Sequence, residues 1–231
     1  MLSYLNLIGN SLNSIPLIGI LGGTFNPIHF GHLRMAQELA DALNLSAVRF
    51  VPSANPPHKT MPTVSAEHRA NMVKLAISDN PIFKLDTREL ARTGASYTID
   101  TLTSLRDELG ENVALCLMMG SDAFTNLDAW HRYTELLEYC HIILVQRPNK
   151  KTQSLQTQAK LSDTLTALLQ NHYTENSDDL HEKSAGYIHM QAITAQDISS
   201  TDIREKLSKK TSCNYLLPEN VLQYIAQHKL Y

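Results

Sequence analysis

Residues 22–32 read Gly-Gly-Thr-Phe-Asn-Pro-Ile-His-Phe-Gly-His, three glycines and two histidines inside eleven positions. At Gly22 and Gly23 no Cβ keeps a phosphate away from the backbone amides. A helix starting directly after them would add its first unpaired N–H groups and the positive end of its dipole to the same anion cradle. His29 and His32, three apart, would face one side of that helix start, where each imidazole N–H can donate to one anion. Such a turn can hold a polyphosphate without a lysine. Its parts are weak when taken singly: a Gly-Gly pair after a strand is usually a turn, and an isolated HxxH is most often two unrelated surface histidines.

The elements that must position this turn follow from the pattern of apolar residues. Residues 15–21 read as a strand, with Pro16 tolerable only at its start, and Leu33, Ala36, Leu39, Ala40 and Leu43 recur at helical spacing. Residues 48–51 are a second strand, followed by a proline-containing loop and a helix that Ser65 is placed to cap. Residues 82–85 make a weaker third strand. Ile99, Leu102, Leu105 and Leu109 form one helical stripe that Gly110 ends. Residues 113–119 and 141–145 are apolar without alternation, as central parallel strands covered on both faces must be. Residues 187–193 give a last strand, and helices follow near 201–208 and 218–227, with Pro218 allowed in the first turn.

Strands alternating with helices predict an α/β fold, a doubly wound parallel sheet whose ligands sit beyond the carboxyl ends of the strands where strand order reverses. One domain is expected over residues 15–231, with C-terminal helices. Residues 147–186, rich in polar side chains, are expected to be a variable surface excursion holding one helix. Residues 1–14 are expected to be a poorly ordered extension.

Composition narrows the function. With 231 residues, 43% of them hydrophobic, the chain can bury a real core. Its formal charge of −3 supplies no field for a long nucleic acid. Cys116, Cys140 and Cys213 are far apart and include no CxxC, which disfavours a disulfide framework and fits a reducing compartment. The chain contains no run of 18 apolar residues, and Arg34 is its first cation, so neither a spanning helix nor a signal peptide is expected. A cytoplasmic enzyme with small-molecule partners fits these facts, and a homo-oligomer is left open.

Taken together, Gly22, Gly23, Thr24, Phe25, Pro27, His29, Gly31 and His32 match the GGTFxPxHxGH signature of the nucleotidyltransferase superfamily. At about one in twenty per position, a chance match is on the order of 10⁻⁸. Ile198-Ser199-Ser200-Thr201-Asp202-Ile203-Arg204 resembles that superfamily's ISSTxIR element. There Ser199 or Ser200 can cap a helix, its first amides and Thr201 can hold phosphate oxygens, and Arg204 can reach the same anion. Residues 86–90 and 96–102, the Pro-Pro-His-Lys run at 56–59, Gly120-Ser121-Asp122, Trp130, Gln146-Arg147-Pro148 and the stretch from Leu217 to Ile225 resemble the bacterial nicotinate-mononucleotide adenylyltransferases. Position 26 departs from that pattern, being Asn where Asp is commoner; the two share a shape and can close the same turn.

The resemblance implies a Rossmann-like nucleotidyltransferase fold and adenylyl transfer from ATP to nicotinate mononucleotide, releasing pyrophosphate in NAD biosynthesis. It implies His29, His32 and Arg204 as catalytic groups. Gly22, Gly23, Thr24, Phe25, Asp122, Ser199, Ser200 and Thr201 would surround ATP, and Tyr97, Thr98, Trp130, His58, Lys59 and Arg147 would receive the acceptor. Mg²⁺ is expected as the cofactor, held mainly by the ATP phosphates and water, with no protein metal site. The alternatives are a related adenylyltransferase using nicotinamide mononucleotide or phosphopantetheine, and a non-catalytic nucleotide sensor.

Overall fold

The two unbroken apolar runs become the centre of a parallel sheet. In the computed structural model, which describes residues 15–55, 62–146, 161–194 and 196–231, they are β4 (Ala114–Gly120) and β5 (His141–Gln146). Ahead of them come β1 (Leu17–Gly23), α1 (Phe30–Ala42), β2 (Ala47–Pro52), α2 (Ala66–Ala76), β3 (Phe83–Leu85) and α3 (Thr98–Leu109). Two short helices, α4 (Ser121–Phe124) and α5 (Leu136–Tyr139), lie between β4 and β5. The chain continues with α6 (Asp163–His172), β6 (Tyr173–Thr174), β7 (Ile188–Ala192), α7 (Ser200–Ser208) and α8 (Glu219–His228).

The seven strands lie in the order β3-β2-β1-β4-β5-β7-β6, all parallel. Because successive side chains of a strand point to opposite faces, each central strand feeds two cores. From β4, Ala114, Cys116 and Met118 join one core, while Leu115, Leu117 and Met119 join the other. The first core packs under α1, α2, α7 and α8, and the second under α3 and α6. Burial on both faces is why alternation is missing from these strands. Gly19 of β1 is a packing requirement: a Cβ there would stand 2.9 Å from Leu45 Cδ1 and 3.1 Å from Met118 Sδ.

The predicted α/β doubly wound sheet is thus present, and element bounds agree to within a few residues. Ser65 caps α2 by accepting the His68 N–H, and Gly110 ends α3 at φ 70°. Pro218 stands one position earlier than expected, as the N-cap of α8. Residues 1–14 and 147–160 lie outside the described residues, as does the Pro-Pro-His-Lys run.

One expectation needs correcting. From residue 161 onward, the stretch foreseen as a surface excursion is woven into the fold. Alongside its helix α6 it supplies β6, which pairs with β7 at the sheet edge (Tyr173 with Ile188, Thr174 with His189), and Leu165 and Leu180 are fully buried. The apolar patch at 161–169, legible in the sequence, is what docks: Leu161, Leu165 and Leu169 are buried in the second core. Among the described residues no helix is long and apolar enough to cross a membrane.

Candidate active site

Strand order reverses between β1 and β4, so the crevice beyond their carboxyl ends is where a sheet of this kind binds its ligand. β1 ends there in Gly22 and Gly23, and β4 in Gly120. A Cβ on Gly22 or Gly120 would meet no atom within 4 Å. Neither glycine is needed for packing, which leaves close approach of a ligand as the physical use for a missing side chain.

The loop after β1 delivers both histidines to the start of α1. His29 is the N-cap, and its N–H donates to Nδ1 of His32 at 3.3 Å. An accepting Nδ1 places the proton of a neutral His32 ring on Nε2, the atom that can donate outward. The two rings stack with centroids 3.8 Å apart. Phe25, 2% exposed, meets the His32 ring edge-on at 5.2 Å. Its side chain therefore braces His32, and what it can offer a nucleotide is its backbone N–H. Gly31 is required by this crowding, since a Cβ there would lie 3.0 Å from Cε1 and Nδ1 of His29.

The second sequence element docks onto the same loop. Ser199 caps α7, its Oγ accepting the Asp202 N–H at 3.1 Å. Ser200 Oγ donates to the Pro27 carbonyl at 2.9 Å, and Arg204 Nη1 to the Asn26 carbonyl at 2.9 Å. A second Arg204 nitrogen, Nη2, donates to Thr201 Oγ1 at 3.3 Å. Ser200 and Arg204 were expected to face phosphate; in the structure they fasten the loop, and two of the five guanidinium donors are spent inside the protein. The starts of α1 and α7 are thereby brought together, 178 residues of sequence apart at the Arg204–Asn26 bond.

On the other core's side, Tyr97 is the N-cap of α3 and makes no side-chain cap. The first amides of this twelve-residue helix, from Thr98 onward, thus receive no cap from the Tyr97 side chain. The Tyr97 ring packs against His131 with centroids 4.3 Å apart and planes tilted by 33°, which joins the α3 start to the loop carrying half-buried Trp130. The Trp130 N–H itself donates to the Leu127 carbonyl at 2.9 Å. Ser96 Oγ accepts the Ala54 and Asn55 N–H groups, and the Ser53 N–H donates to the Gly23 carbonyl, a continuous tie from this wall to the glycine loop. Asp122 stands exposed in the first turn of α4, directly after Gly120. His58, Lys59 and Arg147 lie outside the described residues.

Sequence reasoning missed Arg69. Only 1% exposed, it donates to the carbonyls of Thr24 (2.6 Å), Ser53 (2.7 Å), Ala54 (3.4 Å) and Val64 (3.3 Å), so one cation ties together the loops after β1 and β2. A signal existed: Arg69 falls in phase with Ala70, Met72 and Val73, the buried face of α2. The residues at 86–90 also take their meaning here. Arg88 grips both Asp86 oxygens at 2.9 and 2.8 Å, and Glu108 of α3 closes the network through Arg49 and Arg88. Burial works to raise the Asp86 carboxyl, but the Arg88 and Arg49 guanidiniums outweigh it and hold the group below its ordinary value.

A family model described as cytidylyltransferase-like matches residues 20–206, from β1 through the ISSTxIR element. The chain belongs to the cytidylyltransferase-like family. This cytidylyltransferase-like chain is 43% identical over 210 residues to a Halorhodospira halophila protein named "Probable nicotinate-nucleotide adenylyltransferase", covering 91% of this chain and 93% of the relative. It is 41% identical over 215 residues to the nicotinate-nucleotide adenylyltransferase of Salmonella typhimurium, covering 93% and 98%. Among solved structures, the fold resembles the Plasmodium falciparum nicotinic acid mononucleotide adenylyltransferase complexed with NaAD, with a TM-score of 0.67, 18% identity and coverage of 94% and 97%.

Proposed function

We propose that this protein transfers the adenylyl group of ATP to nicotinate mononucleotide, giving nicotinate adenine dinucleotide and pyrophosphate, a step of NAD biosynthesis. The observation that carries this reading is the stacked His29–His32 pair at the start of α1, with α7 docked on the same loop at the switch point of the sheet. Relatives named for this activity at 41 and 43% identity over nine-tenths of the chain support the choice of reaction.

A 5′-phosphate oxygen of the acceptor attacks the α-phosphorus of ATP in line. The bond from that phosphorus to the bridging oxygen breaks, and pyrophosphate leaves with its electron pair. The nucleophile is already an anion near neutral pH, so a general base is unnecessary, and the protein's work is alignment and charge stabilisation. His32 donates from Nε2, with His29 beside it, to the α- and β-phosphate oxygens. Arg204 and the starts of α1 and α7 neutralise the departing pyrophosphate. Gly22, Gly23, Thr24 and Phe25 offer backbone to the triphosphate, Ser199, Ser200 and Thr201 hold its far side, and Asp122 lies toward the sugar or the reacting phosphates.

The acceptor's pyridine stacks on Trp130, with Tyr97 alongside, while the amides at the α3 start around Thr98, which the Tyr97 side chain does not cap, favour a carboxylate over an amide. A carboxylate accepts a charge-assisted bond from those donors, whereas an NH₂ group would oppose them. His58, Lys59 and Arg147 remain acceptor-binding proposals, Lys59 and Arg147 toward phosphate. Mg²⁺, when bound, screens the triphosphate charge. Among the described residues no group of three or more His, Cys, Asp or Glu is arranged to hold a metal. The buried, unpaired thiols of Cys116, Cys140 and Cys213 support a cytoplasmic setting.

The test is pyrophosphate release from Mg·ATP with nicotinate mononucleotide, nicotinamide mononucleotide and phosphopantetheine offered separately. Release mainly with the nicotinate compound, and a product of the dinucleotide mass, is the expected result. Preference for another acceptor overturns the substrate, and ATP binding without release overturns the reaction.

A further inference from the structure

The loop that carries His29 is held by its backbone at three points already described: Thr24 by Arg69, Asn26 by Arg204 and Pro27 by Ser200. A fourth bond holds a side chain. The phenol of Tyr231 donates to Oδ1 of Asn26 at 2.5 Å. Both ends of Asn26 are therefore gripped, its carbonyl by α7 and its amide oxygen by Tyr231, beyond the end of α8.

The route by which Tyr231 reaches the loop is built into the end of α8. The Leu230 N–H donates to the Ile225 carbonyl at 3.0 Å and the Lys229 N–H to that of Ala226 at 3.3 Å, with Lys229 in the left-handed region at φ 51°. This is a Schellman turn, and it uses a lysine where glycine is the common choice, a conformation unfavourable to a residue that bears a side chain. The turn reverses the chain and sets Leu230 and Tyr231 against the first core. The cost is offset by that packing and by the hydrogen bond to Asn26. Burial raises the phenol pKa above its ordinary value, against the opposing pull of Arg204 and Arg69. The group therefore remains a donor throughout the neutral range.

We propose that Tyr231 is a positioning residue for adenylyl transfer, acting through Asn26 to hold the glycine loop, and with it His29, in phosphate-binding register. This rests on ATP being bound by that loop, as proposed above. It also accounts for the tolerance of Asn at position 26. What the Tyr231 hydroxyl needs there is an acceptor oxygen, and the amide supplies one as well as a carboxylate would.

Tyr231→Phe removes the hydroxyl and keeps the ring. Mg·ATP and nicotinate mononucleotide are titrated separately into the parent and the variant by calorimetry, and turnover and thermal melts are recorded beside them. The expected result is a Kd for Mg·ATP raised about three- to tenfold, as loss of one hydrogen bond would give. kcat is lowered, and the Kd for nicotinate mononucleotide stays within about twofold. Asn26→Ala should weaken ATP to a similar degree, and adding Tyr231→Phe to it should cost nothing further. An unchanged ATP affinity overturns the proposal. So does equal weakening of both nucleotides, the pattern of a merely structural loss, or additivity in the double variant. If the parent binds ATP but does not turn over nicotinate mononucleotide, the functional reading fails, while the ATP comparison still decides the role of Tyr231.

Discussion

Stacked at 3.8 Å with 30° between their planes, the rings of His29 and His32 act as one unit: the backbone N–H of the first holds Nδ1 of the second. The spacing of three residues at a helix start places them so, and Gly31 between them leaves room for the His29 ring. Orientation is fixed before any substrate arrives, which is what a donor to a developing charge requires.

Replacing His32 by Ala should lower kcat by about 10² to 10³, the cost of losing one preorganised donor, and leave acceptor affinity nearly unaltered. Steady-state kinetics with each substrate varied in turn checks this. A turnover number equal to the parent's would remove His32 from the reaction.

Gly22→Ala separates folding from binding. The added methyl meets no protein atom within 4 Å, so the melting temperature should move by no more than about 2 °C. The same methyl occupies space proposed for the triphosphate, and KM for ATP should rise about tenfold or more. Unaltered ATP kinetics in a folded variant would show that the triphosphate lies elsewhere.

Trp130→Ala should raise KM for nicotinate mononucleotide more than KM for ATP, because the ring is proposed to stack on the pyridine and not on the adenine. If only the ATP term moves, the stacking assignment is wrong.

His141 should make stability depend on pH. Fully buried in β5, its Nε2 donates to the Lys183 carbonyl at 2.9 Å and its Nδ1 accepts the Tyr187 N–H at 3.0 Å, so the neutral ring is satisfied on both sides. Burial pushes its pKa down to about 4. The unfolded chain, with an ordinary value of about 6.5, binds the proton first. The contribution of the neutral ring is therefore complete above about pH 6.5 and is lost as pH falls toward 4, a total of about 3 kcal/mol. Urea unfolding from pH 7.5 to 4.5 should show most of that loss in the parent, and a shallower dependence in His141→Gln. Equal slopes would assign the pH dependence to other groups.

Much of this molecule could be read from the chain. Unbroken apolar runs at β4 and β5 announced central parallel strands, because a strand covered on both faces has no polar side to display. Ser65 and Gly110 marked helix ends by chemistry local to a single turn. The histidine pair and the Ser-Ser-Thr-x-x-Arg element were weak signals singly and became legible through their resemblance to the nucleotidyltransferase signature; helix spacing said only that residues three or four apart share a side.

What tertiary structure decided was each bond between distant segments. Arg204 finds the Asn26 carbonyl across 178 residues and Tyr231 finds the Asn26 amide across 205. Arg69 unites four carbonyls from the segments flanking β1 and β2, though its sequence neighbours mark only a buried face. Residues 173 and 174, too few for a strand signal of their own, become one only because β7 lies alongside. Local periodicity reports which side of an element faces inward. It cannot report which carbonyl waits there, because that depends on how the sheet twists and how α7 and α8 fold back over its switch point.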